Sequence, residues 1–458
     1  MGLQVAFLFI YIALSFGFPA ETVCSVLIAH TIINLITDIR NGRKLYLMTV
    51  YYIGITLITL SNLLYIIKVS TVGITEYSMY KYIIIGNADV ACSVWAIGNA
   101  SIYIGYKLFD KKSFPSIMLN LRSNKAVTNL FIFIITFAFL NFTGNAVNFG
   151  FITGGITKVL SLMNVMGIMF FARLWVVENN NKYKNYAIVL AVLQTLIALY
   201  TAFLRIELLT PAISFFGGYF IGKGSIKYVF SARIIPVIVV LAVFSTFFNT
   251  LAGNRAHFIE AFTGSDAPAA TYADISDSED KGEGGAFERS ANIAQLTNVV
   301  ELVKKNGYYQ GKASYPLLAA FVPRILWPDK PAVQLGVWFA LEIGAATIGD
   351  NGFANNSINM SIPGELYLDF GWVGVILGGL IFGALIAMFW NASGFVESPY
   401  NLSGTLWGGY LLLYALNGIG ADLQIVVSLI STYIIFLLIK KIANRNENIS
   451  NRPALEGQ

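Results

Sequence analysis

Residues 373–390 read Val-Gly-Val-Ile-Leu-Gly-Gly-Leu-Ile-Phe-Gly-Ala-Leu-Ile-Ala-Met-Phe-Trp, a run without a single charged side chain. A half-buried strand alternates apolar and polar residues, whereas this run is apolar at every position. Its length falls within the roughly 17–25 residues with which an α-helix crosses a bilayer. With the residues before it, the run predicts a membrane-spanning helix over Ile362–Trp390.

The composition of the whole chain agrees with that prediction. Of its 458 residues, 56% are hydrophobic and 12% are charged, and the mean hydropathy is +0.66. Soluble domains carry about 25% charged residues, so water is not the main solvent of this chain. A bilayer offers no partners to backbone N–H and C=O groups, and continuous apolar runs satisfy them as helices. We therefore expect an all-α polytopic membrane protein.

Apolar segments of spanning length predict about 12 transmembrane helices, with a range of about 10–12. Two of the segments could instead be re-entrant, because Thr22–Ile39 contains polar residues such as His30, and Glu207–Ile221 is short and contains Pro211. The predicted spans are Leu3–Pro19, Thr22–Ile39, Leu45–Ile67, Tyr82–Tyr106, Val127–Gly144, Ile156–Val177, Tyr186–Phe203, Glu207–Ile221, Val229–Thr250, Ile362–Trp390, Thr405–Gly420 and Leu423–Ile439.

Basic residues predict the orientation, because Lys and Arg favour cytoplasmic loops. The short loops on the opposite side hold only Lys68, Lys81 and Arg205. Both termini are then expected in the cytoplasm, and the long loop is expected on the outer side of the membrane. The basic loops and ends are Arg40–Lys44, Lys107–Lys125, Lys182–Lys184, Lys223–Lys227 and Lys440–Arg452.

Three parts follow from this arrangement. Residues 1–250 form an N-terminal membrane bundle of about nine spans, residues 251–359 form a large extracytoplasmic loop, and residues 360–458 hold the last three spans and a cytoplasmic tail. Within the loop, residues 263–288 are too polar to hold a core and are expected to form a mobile acidic flap. Residues 291–356 contain apolar stretches that should pack on the membrane surface or dip into it.

Neither the cysteines nor the acidic residues predict a metal centre. Cys24 and Cys92 sit in apolar runs without a CxxC or His partner, so they are interpreted as small core residues. The acidic residues of Asp274–Glu288 fall near the ligand positions of a calcium loop, but Lys281 occupies one where an oxygen ligand belongs. We therefore expect no metal and no cofactor. We attribute the net charge of +5 to the basic residues of the predicted cytoplasmic loops, which orient the chain in the membrane, and we expect no nucleic-acid partner.

Ionisable residues near the outer ends of the predicted spans are the candidates for chemistry. A lone arginine at a span end usually anchors the helix at the interface. Several cations beside a few carboxylates, however, suit an anionic headgroup, because guanidinium binds phosphate oxygens bidentately. A polyprenyl diphosphate meets these requirements. The candidates are Arg205, Arg255, Arg324, Lys330, Glu365 and Asp422.

Two of the candidates have competing interpretations. Arg205 is flanked by apolar sequence and is the best single cation, although it could pair with Glu207 at the surface. His257 could serve as a general base near neutral pH or could be an exposed loop residue without a role. His30, within an apolar segment, is expected to be a hydrogen-bonded core residue.

Two motifs carry a family resemblance. The first is Phe-Val-Pro-Arg-Ile-Leu-Trp-Pro-Asp-Lys-Pro over 321–331, and the second is Pro-Gly-Glu-Leu-Tyr-Leu-Asp-Phe-Gly-Trp-Val-Gly over 363–374. Together they resemble the Wzy-type O-antigen polymerases, which join oligosaccharide repeat units of bacterial surface polysaccharides. The chain departs from the family near its last spans, where Asp422 stands in a position at which members often carry an arginine.

The resemblance implies a metal-independent membrane glycosyltransferase. A growing glycan on undecaprenyl diphosphate would pass to an incoming lipid-linked repeat unit at the extracytoplasmic face, as in O-antigen or lipopolysaccharide and capsule biosynthesis. Glu365 is the leading base, although it could instead only cap its helix. From the chemistry that the reaction needs, we hypothesise that the catalytic candidates are Glu365, His257 and Asp422, and that the diphosphate-binding candidates are Arg205, Arg255, Arg324 and Lys330.

The expected partners are lipid-linked oligosaccharides as donor and acceptor, membrane lipids, a chain-length regulator and a flippase. Other classes compete with the polymerase. A lipid-linked oligosaccharide flippase would also have about a dozen spans, but it would place its charges near the midplane. An O-antigen ligase would share the donor, and His257 after a basic residue fits that alternative. A structural or receptor protein would leave the cations unexplained.

Overall fold

The computed structural model describes residues 2–40, 47–72, 83–121, 124–143, 154–201, 205–224, 291–315, 327, 335–348, 357–395, 397–416 and 423–450. This described part is helical throughout. It contains no strand, and its one isolated β-bridge joins Asn120 to Asn401. The expectation of an all-α protein is therefore confirmed for these residues.

The helices are named in chain order. They are α1 (Gly2–Leu14), α2 (Ala20–Arg40), α3 (Leu47–Val72), α4 (Ala88–Leu108), α5 (Asn124–Thr143), α6 (Gly154–Glu178), α7 (Asn181–Thr201), α8 (Arg205–Lys223), α9 (Ile293–Asn306), α10 (Leu335–Glu342), α11 (Ile362–Val373), α12 (Gly379–Ser393), α13 (Leu402–Leu416) and α14 (Gln424–Ser450).

Each predicted span that contains described residues overlaps one of these helices, except that Ile362–Trp390 overlaps two, α11 and α12, and Val229–Thr250 lies outside the described residues. Among the described residues, three stretches are long and apolar enough to cross a membrane by length and composition, namely Ala20–Arg40, Leu47–Thr71 and Ile362–Ser393, of which the last is interrupted at Gly371. The structure is thus compatible with membrane insertion. The total of about twelve spans stays a prediction.

The outward face of α11 and α12 is apolar. After Gly371, the side chains of Val373, Leu377 and Ile381 recur at helical spacing and are exposed over 54–66% of their surface, and Phe370, at the end of the preceding helical residues, is 50% exposed. A contiguous exposed apolar strip is unfavourable in water and is suited to contact with lipid or with another apolar surface.

Helix α4 lies at the centre of the larger core, and almost all of its side chains are buried. On one side it packs against α3, where Trp95 Nε1 donates to Thr59 Oγ1 over 3.0 Å. On the other side it packs against α12 at backbone contact. A Cβ atom added to Gly383 would lie 1.9 Å from the carbonyl oxygen of Ile102, so only glycine fits there.

A second core joins α5, α6 and α7. The ring of Phe131 stacks on Tyr186 with centroids 3.8 Å apart, and Phe171 meets both rings edge-on. Aromatic rings favour such geometries because of their quadrupoles. Helix α8 packs on α6 through Gly218, where an added Cβ would lie 2.3 Å from the carbonyl oxygen of Met169.

Helix α2 is continuous from Ala20 to Arg40, so Thr22–Ile39 is not broken. Two of its buried polar side chains, His30 and Asn34, are hydrogen-bonded to α1. The Tyr11 hydroxyl donates to His30 Nδ1 over 2.9 Å, and His30 Nε2 donates to Gln4 Oε1 over 2.6 Å. Gln4 Nε2 in turn donates to Asn34 over 2.9 Å. His30 is therefore the hydrogen-bonded core residue that its sequence context predicted.

Candidate functional site

Helix α11 is broken at Gly371, although the sequence predicted one uninterrupted span. Gly371 has a φ of +62°, which L side chains rarely adopt. The residues before the break, Ile362–Phe370, form a short helix that we call the half-helix. After the break the chain continues through a π-helical turn, Gly374–Gly378, into α12.

The half-helix folds back along the chain that follows it. Its Leu366 contacts that chain closely. A Cβ atom added to Gly374 would lie 2.4 Å from the carbonyl oxygen of Leu366, and one added to Gly378 would lie 2.5 Å from the Leu366 side chain. Pro363 and Gly379 both abut Gly98 of α4. The two arms therefore run antiparallel, and we call 362–393 the hairpin. Several of its glycines serve close packing.

The hairpin places the start of the half-helix deep in the bundle. Gly98 is the middle residue of α4, and with a helical rise of 1.5 Å per residue it lies about 15 Å from either end. Pro363 packs against it. Ser361, with a φ of 67°, caps the half-helix by accepting a hydrogen bond from the Gly364 N–H. A helix thus begins in the interior rather than at a surface.

Glu365 lies in the first turn of the half-helix and is only 1% exposed. Its Oε2 accepts a hydrogen bond from the N–H of Leu423 over 2.9 Å, immediately before α14. The carboxylate therefore joins the half-helix to the last helix of the chain. Its place in the first turn also suits a cap of the helix dipole. Both interpretations of Glu365 agree with this geometry.

Asp369, one turn after Glu365, is a second buried carboxylate, with 0% of its surface exposed. It accepts hydrogen bonds from Ala313 N (3.1 Å), Ser314 N (2.9 Å) and Ser314 Oγ (2.5 Å). Sequence analysis assigned it no role. Its spacing of four residues from Glu365 within an apolar segment is the signal that could have identified it, because that spacing puts both carboxylates on one helical face.

The break in α11 also explains how the preceding loop is held. At Gly371 the helical hydrogen bonds end, which releases the carbonyls of Leu368 and Asp369. The Leu368 carbonyl accepts from Tyr309 N over 3.0 Å, and that of Asp369 accepts from Gln310 N over 2.9 Å. Residues 307–315, which we call the clamp loop, are thereby fixed to the end of the half-helix.

Helix α9 leads into the clamp loop and packs among α3, α4 and the half-helix. At its start Asn62 accepts from the backbone of Asn292 and Ile293 (2.8 and 3.1 Å). On its exposed side, Asn87 donates to Glu301 over 3.0 Å. That bond, helped by Lys305, lowers the pKa of Glu301.

The other predicted site residues fall largely outside the described part. The backbone of Arg205 opens α8, but its side chain lies outside the described residues. Of the seven candidates, only Glu365 has a described side chain, so the structure does not test its grouping with the cations. Arg255, His257, Arg324, Lys330 and Asp422 lie outside the described residues, as do the acidic flap 263–288 and the calcium-loop alternative.

Arg173 of α6 is a buried cation that the sequence analysis missed. It is 6% exposed, its Nη1 donates to Thr405 Oγ1 over 3.3 Å, and its guanidinium lies 4.7 Å from the centre of the Phe395 ring. It stands in the run Phe-Phe-Ala-Arg-Leu-Trp, where an arginine amid apolar residues was the available signal. It lies near the end of α6 that the predicted topology would place towards the cytoplasm, away from the predicted outer cations.

Comparison of the chain with family models, curated proteins and solved structures found no match. The function is therefore argued from the motifs and from the geometry of the hairpin.

Proposed function

We propose that this protein is a membrane glycosyltransferase that polymerises oligosaccharide repeat units carried on undecaprenyl diphosphate, at the extracytoplasmic face of a bacterial inner membrane. The resemblance of 321–331 and 363–374 to the Wzy-type polymerases suggests this class. One structural observation carries the proposal furthest. Within the second motif, Glu365 is buried at the foot of a re-entrant half-helix and hydrogen-bonded to the start of α14.

The proposed reaction requires a base and an anion-binding group. The acceptor hydroxyl attacks the anomeric carbon of the donor glycan, the bond from that carbon to the diphosphate oxygen breaks, and undecaprenyl diphosphate leaves. Glu365 takes the hydroxyl proton, with His257 or Asp422 as alternative bases. Arg205, Arg255, Arg324 and Lys330 bind the diphosphates and stabilise the charge that develops on the leaving group.

The burial of Glu365 sets a condition on this mechanism. A carboxylate that is 1% exposed cannot touch an acceptor until its surroundings open. In the proposal, substrate binding breaks the hydrogen bond between Leu423 N and Glu365, so that α14 separates from the half-helix. Such opening couples base exposure to the presence of substrate and keeps water away from the donor.

A flippase or other transporter is the second candidate, and the same half-helix favours it. Transporters often bind substrate where a discontinuous helix begins near the midplane, and here a helix begins where Pro363 meets Gly98, the middle residue of α4. A transporter would move the lipid-linked glycan without lengthening it. The two candidates therefore differ in product.

The deciding experiment reconstitutes the purified full chain in vesicles with synthetic undecaprenyl-diphosphate repeat units. A ladder of lengthened glycans supports polymerisation. Movement of labelled lipid across the bilayer without lengthening would establish the transporter instead. Transfer to a lipid A core acceptor without a ladder would establish the ligase.

A carboxamide variant tests the base. Glu365→Gln keeps the shape of the side chain and its hydrogen-bond acceptor but removes the basic oxygen, so we expect a loss of rate of at least about 100-fold, the usual size of a general-base contribution. Glu342→Gln, an exposed carboxylate in α10, is the matched control and should retain full activity. An active Glu365→Gln protein would transfer the base role to His257 or Asp422.

A further inference from the structure

We propose that Cys24 and Cys92 form a disulfide that links α2 to α4. The two sulfur atoms lie 3.3 Å apart, and both residues are free thiols in this structure. Each side chain is 1% exposed. The sequence places the two cysteines 68 positions apart, so only the fold reveals them as a pair.

The helices are already held in the position that the bond requires. Each cysteine is one turn into its helix, because α2 begins at Ala20 and α4 at Ala88. Beside the pair, the N–H of Ala20 donates to Asp89 Oδ1 over 2.8 Å, which fixes the start of α2 against the start of α4. The sulfur atoms need to approach from contact distance to about 2.05 Å, a shift within the reach of side-chain rotation.

Packing explains the burial of the two residues but not their facing arrangement. A small residue at either position would fill the same space, as the sequence analysis assumed. Two thiols that face each other across a helix seam add a chemical property that alanine or serine would not supply. They can be joined by a covalent bond without unfolding the seam.

The oxidation is a two-electron step. Two thiols lose two protons and two electrons as the S–S bond forms, and a small apolar acceptor takes them. In a membrane that acceptor is a lipid-soluble quinone, which becomes a hydroquinone. In the test it is diamide, whose N=N bond first adds one thiolate. The second thiolate then attacks the bound sulfur, which gives the disulfide and releases the hydrazine.

The bond would fix the helix on which the hairpin rests. Gly98 of α4 contacts Pro363, and the Ile102 carbonyl lies against Gly383. A covalent link between α2 and α4 limits the separation of these helices in the unfolded chain, and it should therefore stabilise the bundle around the hairpin. The proposal does not depend on the glycosyltransferase assignment.

The test treats the purified, folded full chain with diamide and then unfolds it in an alkylating reagent. We expect a monomer that is lighter by two hydrogen atoms and takes up no alkyl group. The midpoint of heat unfolding should rise by a few degrees, and dithiothreitol should reverse both changes. Cys24→Ser and Cys92→Ser are the matched controls. Each should keep one alkylatable thiol and show no shift of the midpoint.

Two outcomes would overturn the proposal. The first is a folded protein that keeps both thiols alkylatable after diamide, while the same protein oxidised in denaturant loses them. The second is oxidation that joins two chains or leaves a stable diamide adduct. Because the readout is mass and not activity, failure here is distinguishable from failure of the proposed function.

Discussion

Helices α2 and α11 contrast with each other in continuity, and in both cases the structure differs from what polarity alone would suggest. Segment Thr22–Ile39 is rich in polar residues, and the sequence left open that it is re-entrant, yet α2 is continuous. Segment Ile362–Trp390 is more apolar, yet α11 breaks at Gly371 and folds back. Polar side chains do not break a buried helix when a neighbour satisfies them, as α1 does. An apolar segment can break where a glycine conformation and an outside partner for the freed carbonyls coincide.

The prediction with the largest expected effect replaces Gly371, the glycine at which α11 is broken. In Gly371→Ala the alanine would have to adopt the positive φ of Gly371, and its Cβ would lie 2.6 Å from the ring of Tyr308. We expect a loss of about 3–5 kcal/mol, from the strain of a backbone conformation that is essentially restricted to glycine plus overpacking. Heat unfolding in detergent and the yield of monodisperse protein measure it.

Gly307→Ala is its matched control. Gly307 also has a positive φ, of 73°, but an added Cβ would meet nothing within 4 Å. It should lose only the backbone strain, about 1–3 kcal/mol, because its ψ of −175° places it in a region that is essentially restricted to glycine. Equal losses for the two variants would show that crowding by Tyr308 does not hold the break.

The second prediction removes the charge that fixes the clamp loop. Asp369→Asn replaces a carboxylate that accepts three hydrogen bonds with an amide that can accept at one oxygen only. We expect a loss of about 2–3 kcal/mol. Hydrogen exchange in 307–315 should accelerate selectively. Asp110→Asn, an exposed carboxylate, should change neither quantity.

The third prediction concerns α2. His30→Ala removes the acceptor of Tyr11 and the donor to Gln4, which leaves both groups buried without that partner. We expect a loss of about 1–3 kcal/mol in unfolding free energy. Thr37→Ala, on the exposed face of the same helix, is the control and should be nearly neutral. If the His30→Ala protein were as stable as wild type, α2 would not depend on its hydrogen bonds to α1.

The smallest expected effect is a dependence on pH. The hydrogen bond from Asn87 lowers the pKa of Glu301 in the folded protein, so the carboxylate stabilises the fold above the ordinary Glu pKa of 4.5. That contribution is lost as pH falls from this value through the lowered pKa. The unfolding midpoint should therefore fall slightly less between pH 6 and pH 4 in Glu301→Gln than in wild type. Parallel curves for the two proteins would contradict the assignment.

Much of the helical content was predictable, because hydropathy is a local property. Eleven of the twelve predicted segments overlap described helices, and His30 forms the hydrogen bonds of a core residue as its context suggested. The break was not predictable. Several glycines occur in Ile362–Trp390, and only the contact of the chain with Tyr308 and the clamp loop distinguishes Gly371 from the others.

The site was predictable only in part, for a related reason. Glu365 could be identified from its motif, but the partners of Asp369 lie 55 or 56 positions away, and those of Arg173 lie on another helix. Such pairs depend on tertiary contacts that no local pattern reports. The cation set remains a prediction.

The contact between Gly383 and Ile102 has a consequence for biosynthesis. Helix α4 is translated long before α12. Most of the chain is therefore synthesised before Gly383 of α12 is available to cover the surface of α4 around Ile102. Until then lipid, or an earlier helix held provisionally, must occupy that surface. The last third of the chain therefore displaces an occupant when it arrives, and a truncation before Gly379 should leave α4 exposed to cellular quality control.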